Sequence, residues 1–293
     1  MSGETRISFY RLEKVLVCTD HSPFSRGAFN AALSLARAFG SKVHLLQIVE
    51  LFPFYEFPQP DLVTISPQLT QDLLNLRETA AREYLEACKN EAAQQGVDLD
   101  TRLRLGTGIY GEILEEAQEI KPDLIILGRR GRTGLDRLMM GSVTARVIGH
   151  SPCPVLVVPR ESPLTWQKIL LASDGSPYSA AAWEEALALT RRLGGSLLAV
   201  SVAREEGELP VAEEIVNHLM KSANQQGIPL ETHVIIGQPD DAIIQIALKN
   251  QVGLIILGSH GRTGFKRLLM GSVTERVIGQ APCPVLVVPK VIP

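Results

Sequence analysis

An internal duplication constrains this chain more than any other feature of its sequence. The stretch GRRGRTGLDRLMMGSVTARVIGHSPCPVLVVP, from Gly128 to Pro159, returns as GSHGRTGFKRLLMGSVTERVIGQAPCPVLVVP, from Gly258 to Pro289. About three in four aligned positions are identical, with no gap, so the chain carries two copies of one folding unit. Each copy follows a short apolar run, DLIILG at Asp123–Gly128 and GLIILG at Gly253–Gly258. Runs of this length, rich in Ile and Leu, suit strands buried on both faces. Each copy therefore reads as strand, glycine-rich loop, short helix, strand.

Three glycines recur in each copy: Gly128, Gly131 and Gly141, then Gly258, Gly261 and Gly271. Glycine permits positive φ and lets a ligand approach the backbone. Ser142 and Ser272 follow the third glycine and are expected to cap the helices VTARVI and VTERVI. Free N–H groups and the positive dipole end at such helix starts attract phosphate. Tight turns and a capped helix without a ligand would explain a single copy equally well. Retention of the full spacing in both copies favours a phosphate site.

A length of 293 residues suits two domains. The expected division is 1–160 and 166–293, joined by a linker at Arg160–Thr165. With a formal net charge of −3, the chain has no overall basic field to draw it to nucleic acid or an anionic membrane. Met1–Leu12 lacks the apolar core of a signal peptide, and no apolar run is long enough to span a bilayer. The expected location is cytoplasmic. Cys18, Cys88, Cys153 and Cys283 form no C-x-x-C pair or zinc spacing. Cys153 and Cys283 occupy equivalent places before VLVV and are expected to be small buried residues without redox work.

Read in order, the first half offers strands at Lys14–Asp20, Ser41–Glu50, DLDTRLRLG, Asp123–Leu127 and Val155–Val158. Helical spacing appears at Phe29–Gly40, Leu69–Gln95 and Ile109–Gln118. Leu51–Pro67 is rich in proline and aromatics and reads as a loop, either a surface excursion or a lid. The second half repeats the order, with AREEGELP at Ala203–Pro210 in place of that insertion. Alternating strands and helices predict a doubly wound α/β fold. Ligands in such sheets bind beyond the carboxyl ends of the strands, where the winding reverses. The first strand of each half ends in Asp20 or Asp174, and the fourth ends in the glycine loop. A carboxylate there can take ribose hydroxyls or Mg²⁺. Its simpler role is to cap the following helix.

These residues resemble the universal stress protein family, in tandem form. The family's ATP-binding signature is glycine, two residues, glycine, nine residues, glycine, then Ser or Thr. It stands here twice, ending in Ser142 and Ser272, and the resemblance covers nearly the whole chain. It implies two five-stranded parallel sheets in strand order 3-2-1-4-5, related by a pseudo-twofold axis. The fifth strands would lie antiparallel across that axis, and chains would be able to pair further as a homodimer. It implies ribose or Mg²⁺ contact by Asp20 and Asp174, beside Thr19 and Ser173. Adenine would meet main-chain groups at Ile48 and Val202. Phosphates would meet the glycines together with Ser142, Val143 and Thr144, or Ser272, Val273 and Thr274. The residue between the paired glycines is usually histidine, as in His260, whereas the first half has Arg130. No Walker lysine is present, which leaves Arg132 and Arg262 as candidate phosphate partners.

The implied function is ATP binding in stress response or signalling, with one adenine nucleotide expected per half. Two alternatives stay open: a slow Mg-dependent ATPase, and a scaffold binding a non-nucleotide ligand or partner.

Overall fold

The computed structural model describes residues 8–51, 67–131, 140–160, 162–262 and 270–290. The Pro- and aromatic-rich insertion at 52–66 and Arg132 lie outside the described residues. In the first half, strands β1 (Lys14–Thr19), β2 (Lys42–Glu50), β3 (Leu99–Gly106), β4 (Leu124–Gly128) and β5 (Val155–Val158) alternate with helices. These are α1 (Pro23–Phe39), α2 (Pro67–Gln94), α3 (Ile109–Ile120) and α4 (Ser142–His150). The second half supplies β6 (Lys168–Ala172), β7 (Ser196–Ala203), β8 (Leu230–Ile236), β9 (Leu254–Gly258) and β10 (Val285–Val288). Its helices are α5 (Pro177–Leu193), α6 (Leu209–Gln225), α7 (Pro239–Lys249) and α8 (Ser272–Gln280).

The strands form one ten-stranded sheet in order β3-β2-β1-β4-β5-β10-β9-β6-β7-β8. Each half keeps the expected 3-2-1-4-5 order. The two sheets expected from the sequence are thus joined into one, because β5 and β10 pair antiparallel. Their register is symmetric about Leu156 opposite Leu286, with Val285 opposite Val157 and Val287 opposite Val155. An edge strand of four apolar residues needs cover, and each strand covers the other. All other pairings are parallel.

The sheet separates two cores, and both run across the seam. One face packs Phe29, Leu33, Trp183 and Leu187 of α1 and α5 over Leu156 and Leu286. The other packs Val147, Ile148, Val277 and Ile278 of α4 and α8 over Val155, Val157, Val285 and Val287. Polar ties reinforce the join. Arg129 Nη1 donates to the Ala281 carbonyl at 3.0 Å, near the C-terminal end of α8. The Phe9 N–H donates to Glu185 Oε2 at 3.0 Å, which anchors the N-terminal turn on α5. Among the described residues, no helix is long and apolar enough to cross a membrane.

Helix α1 begins six residues earlier than its apolar spacing suggests. Ser22 caps it by accepting from the Ser25 N–H, and Pro23 fits the first turn, where no N–H partner is needed. Ser176 and Pro177 start α5 in the same way. AREEGELP forms the end of β7, a short 3-10 turn at Glu206–Glu208, and the start of α6.

The seam carries both cores, so trimming it should be costly. Leu286→Ala, at a fully buried position, is expected to lower the unfolding free energy by about 2–5 kcal/mol. Leu248→Ala, 52% exposed on α7, is expected to change it by less than about 0.5 kcal/mol. Denaturant titration followed by circular dichroism measures both.

Candidate functional site

A cavity of about 300 Å³ opens at the carboxyl ends of β6, β7 and β9. β6 leads into Ser173 and Asp174, and β7 contributes Val202. β9 ends in Gly258 and continues to His260 and Gly261. Gly271, Ser272, Val273 and Thr274 bring the start of α8 to the same cavity. Every second-half residue singled out from the sequence therefore lines it. The same topology sets Thr19, Asp20 and Ile48 beside Gly128, Arg130 and Gly131 in the first half. Gly141, Ser142, Val143 and Thr144 there open α4. The halves run antiparallel across the seam, so the two crevices face opposite rims of the sheet.

The aspartates do not cap the helices, since Ser22 and Ser176 do. Asp20 Oδ1 instead accepts from the Ser22 N–H, and Asp174 Oδ1 from the Ser176 N–H, each at 3.0 Å. Asp174 Oδ2 accepts from the Arg262 N–H at 2.9 Å. One carboxylate thus ties the end of β6 to the glycine loop. The Arg262 Nε donates to the Asp174 carbonyl, so part of that guanidinium serves the loop itself.

The first two glycines of each copy are needed for close approach, and none of the three for positive φ. None of the six signature glycines is left-handed. A Cβ on Gly261 or Gly131 would stand 2.8 Å from Oδ2 of Asp174 or Asp20. A Cβ on Gly258 would meet Tyr178 at 2.6 Å, and one on Gly128 would meet Phe24 at 2.8 Å. The first glycine therefore seats α1 or α5 against the strand, and the second seats the carboxylate.

Ser142 and Ser272 also differ from expectation. Gly141 and Gly271 are the N-caps, and the serines are the first helical residues, exposed to solvent. The first intrahelical bond runs from Ala145 to Gly141, or from Glu275 to Gly271. The N–H groups of Ser272, Val273 and Thr274 precede that bond and so have no partner within α8. They sit at the positive end of its dipole. The Thr144 and Thr274 hydroxyls donate to the carbonyls of Gly128 and Gly258, at 3.1 and 2.9 Å. This leaves only their lone pairs and the backbone for any ligand. Beyond Thr19, opposite Gln47, β1 ends while β2 continues through Ile48. Val202 lies likewise past the end of β6. Main-chain groups there open toward the crevice.

His260 Nδ1 lies 3.1 Å from Ser259 Oγ, and its ring lies 5.1 Å from that of Tyr178. Ser201, Arg204, Glu208 and Ala212 also line the cavity and were not singled out from the sequence. Glu208 Oε2 accepts from the Arg204 N–H at 2.7 Å. The only sequence signal for this pair was AREEGELP standing where the first half has its insertion. Among the described residues, no group of three or more His, Cys, Asp or Glu is gathered for a metal. A Mg²⁺ at Asp174 would fit only by taking most of its oxygen ligands from phosphate and water.

The sequence profile of the universal stress protein family matches residues 11–159 and again 165–289. The chain belongs to the universal stress protein family. A curated universal stress protein of Synechocystis is 28% identical over 294 residues, covering 94% of this chain and 99% of its own length. One of Methanocaldococcus jannaschii is 36% identical over 146 residues, covering 50% of this chain and 81% of its own. The crystal structure of a universal stress protein from Archaeoglobus fulgidus superposes with a TM-score of 0.74 at 22% identity. It covers 94% of this chain and 98% of that one, a likeness of fold.

The cysteines stand apart from this chemistry. Burial pushes the Cys153 thiol up to about 12 from an ordinary 9.0, and nearby Asp123 adds to the shift. Burial likewise takes Cys283 to about 12. A proton held more tightly in the folded state stabilises it fully below pH 9, and that stability is lost as pH rises from 9 to 12. The stability advantage of wild type over Cys153→Ala/Cys283→Ala is therefore expected to shrink across that interval in denaturant titrations. Iodoacetamide at pH 8 is expected to spare both thiols until denaturant is added, as measured by peptide mass spectrometry.

Proposed function

We propose that this universal stress protein binds an adenine nucleotide, ATP, and acts in stress response or signalling through that occupancy. One observation carries the reading. The unpaired amides opening α8, the Asp174 carboxylate and the β7 main chain at Val202 converge on one cavity. Amides at a helix start suit phosphates, a carboxylate suits ribose hydroxyls, and strand main chain suits the edge of adenine. Asp174 already accepts two backbone bonds, so it orients the loop and retains lone pairs for ribose. Mg²⁺, where present, rides mainly on the phosphates.

The same residues argue for holding ATP over cleaving it. Hydrolysis needs an oriented water and stabilisation of charge on the transferred phosphoryl group. Backbone donors that grip the ground state well gain little more in the transition state. Turnover is therefore expected to lie far below the median enzyme rate of about 10 per second.

Mass spectrometry of ligand released from freshly purified protein is expected to find an adenine nucleotide. Isothermal calorimetry with ATP is expected to show binding that Asp174→Ala weakens about tenfold or more, equivalent to about 1.4 kcal/mol. A protein that neither carries nor takes up nucleotide would instead be a scaffold for another ligand. Single-turnover phosphate release above roughly one per second, abolished by Asp174→Ala with binding intact, would make it an ATPase.

A further inference from the structure

The two halves share their glycine loops but not the other end of the crevice. Sheet register makes Ser201 the counterpart of Gln47, and Val200 the counterpart of Leu46. Ala172 corresponds likewise to Cys18, and Val202 to Ile48. All four second-half residues line the cavity, and each first-half counterpart is larger. The replacements cluster on β1 and β2, away from the glycines.

Two further side chains, His21 and Tyr84, act on the same end. After the aspartate, the second half has Gly175 with φ 76°, and the first half has His21 with φ 63°. Left-handed backbone disfavours any side chain, so His21 sits in a conformation that costs energy and persists only where its contacts repay it. Those contacts are specific. The His21 ring stacks on Tyr84 of α2 with centroids 3.8 Å apart. His21 Nε2 lies 2.8 Å from Gln47 Oε1. The Thr19 hydroxyl accepts from the His21 N–H at 3.3 Å and lies 3.3 Å from Ser25 Oγ. Gln47 is buried, at 8% exposure. In the second half Gly175 brings no side chain to this place, and the atoms nearest to a Cβ built there belong to Ile215 and the Arg262 guanidinium.

We infer that Tyr84, His21 and Gln47 close the base end of the first-half crevice, so that the chain binds one adenine nucleotide, in the second half. The inference rests on the nucleotide-binding reading given above, and it replaces the expectation of one nucleotide per half. A carboxamide held by an imidazole occupies the place where Ser201 leaves room for a base. The phosphate end is retained in both halves because the duplicated loop also serves the fold, seating α1 or α5 on the sheet through Gly128 or Gly258.

Stoichiometry tests this. Calorimetry of the full chain with ATP is expected to give one site per chain. His21→Gly/Gln47→Ser, which restores the second-half residues, is expected to give two. Gly261→Val is expected to remove all binding; if it fails to fold by circular dichroism, photolabelling of wild type with 8-azido-ATP replaces it. The label is then expected on second-half peptides alone. Two sites in wild type, a site surviving in Gly261→Val, or label on first-half peptides would overturn the closure while leaving the nucleotide reading intact. A double variant that remains at one site would overturn the role of these side chains. Absence of binding in wild type would overturn the nucleotide reading itself and this inference with it.

Discussion

The antiparallel pairing of β5 with β10 is the interaction on which the rest of the structure depends. Each strand is VLVV, four residues long and fully buried. Alone, each would leave an apolar edge open at the end of a five-stranded sheet. Paired, they turn two sheets into one and make both cores continuous across the seam. The pairing also fixes where the crevices lie. Strands of the two halves run in opposite senses, so their carboxyl ends point to opposite rims. The second-half crevice is accordingly lined by residues of its own half.

Within each half, the crevice depends on a contact between the first strand and the glycine loop. Asp174 reaches the loop because Gly261 has no side chain to obstruct it. The carboxylate then collects N–H groups from both sides of the crevice, Ser176 and Arg262. The first glycine acts differently, bringing α5 against β9. Conservation of spacing between the copies therefore serves packing as well as any ligand. This explains how one half can keep the whole signature while its crevice is reshaped at the other end.

The duplication made the fold legible. Two repeats of strand and helix, with apolar runs short enough for buried strands, determined the α/β class, while the strand order of each half was implied only by the family resemblance. They also placed the aspartates and glycine loops at the same ends of the strands, because in a parallel sheet all carboxyl ends lie together. Local chemistry was read less well. The serine after the third glycine proved to be the first helical residue, since the glycine itself adopts the extended N-cap backbone. Helix α1 started at Pro23 because a cap and a proline, not apolar spacing, decide where a helix begins.

The sequence by itself determined what repeats: two units, their order of elements, and the residues carried at the end of each first and fourth strand. The family resemblance implied that the fifth strands meet antiparallel, and only the tertiary structure decided that they merge the two sheets into one and what fills each crevice. Merging the sheets depends on two edges meeting 130 residues apart, between Leu156 and Leu286. The contact of His21 with Tyr84 and Gln47 joins β2, α2 and the turn after β1, which no local pattern connects. Likewise, Arg204 and Glu208 line the second crevice because α6 begins close behind β7. Periodicity reports which face of an element is buried, but it does not report which distant side chain lies against it.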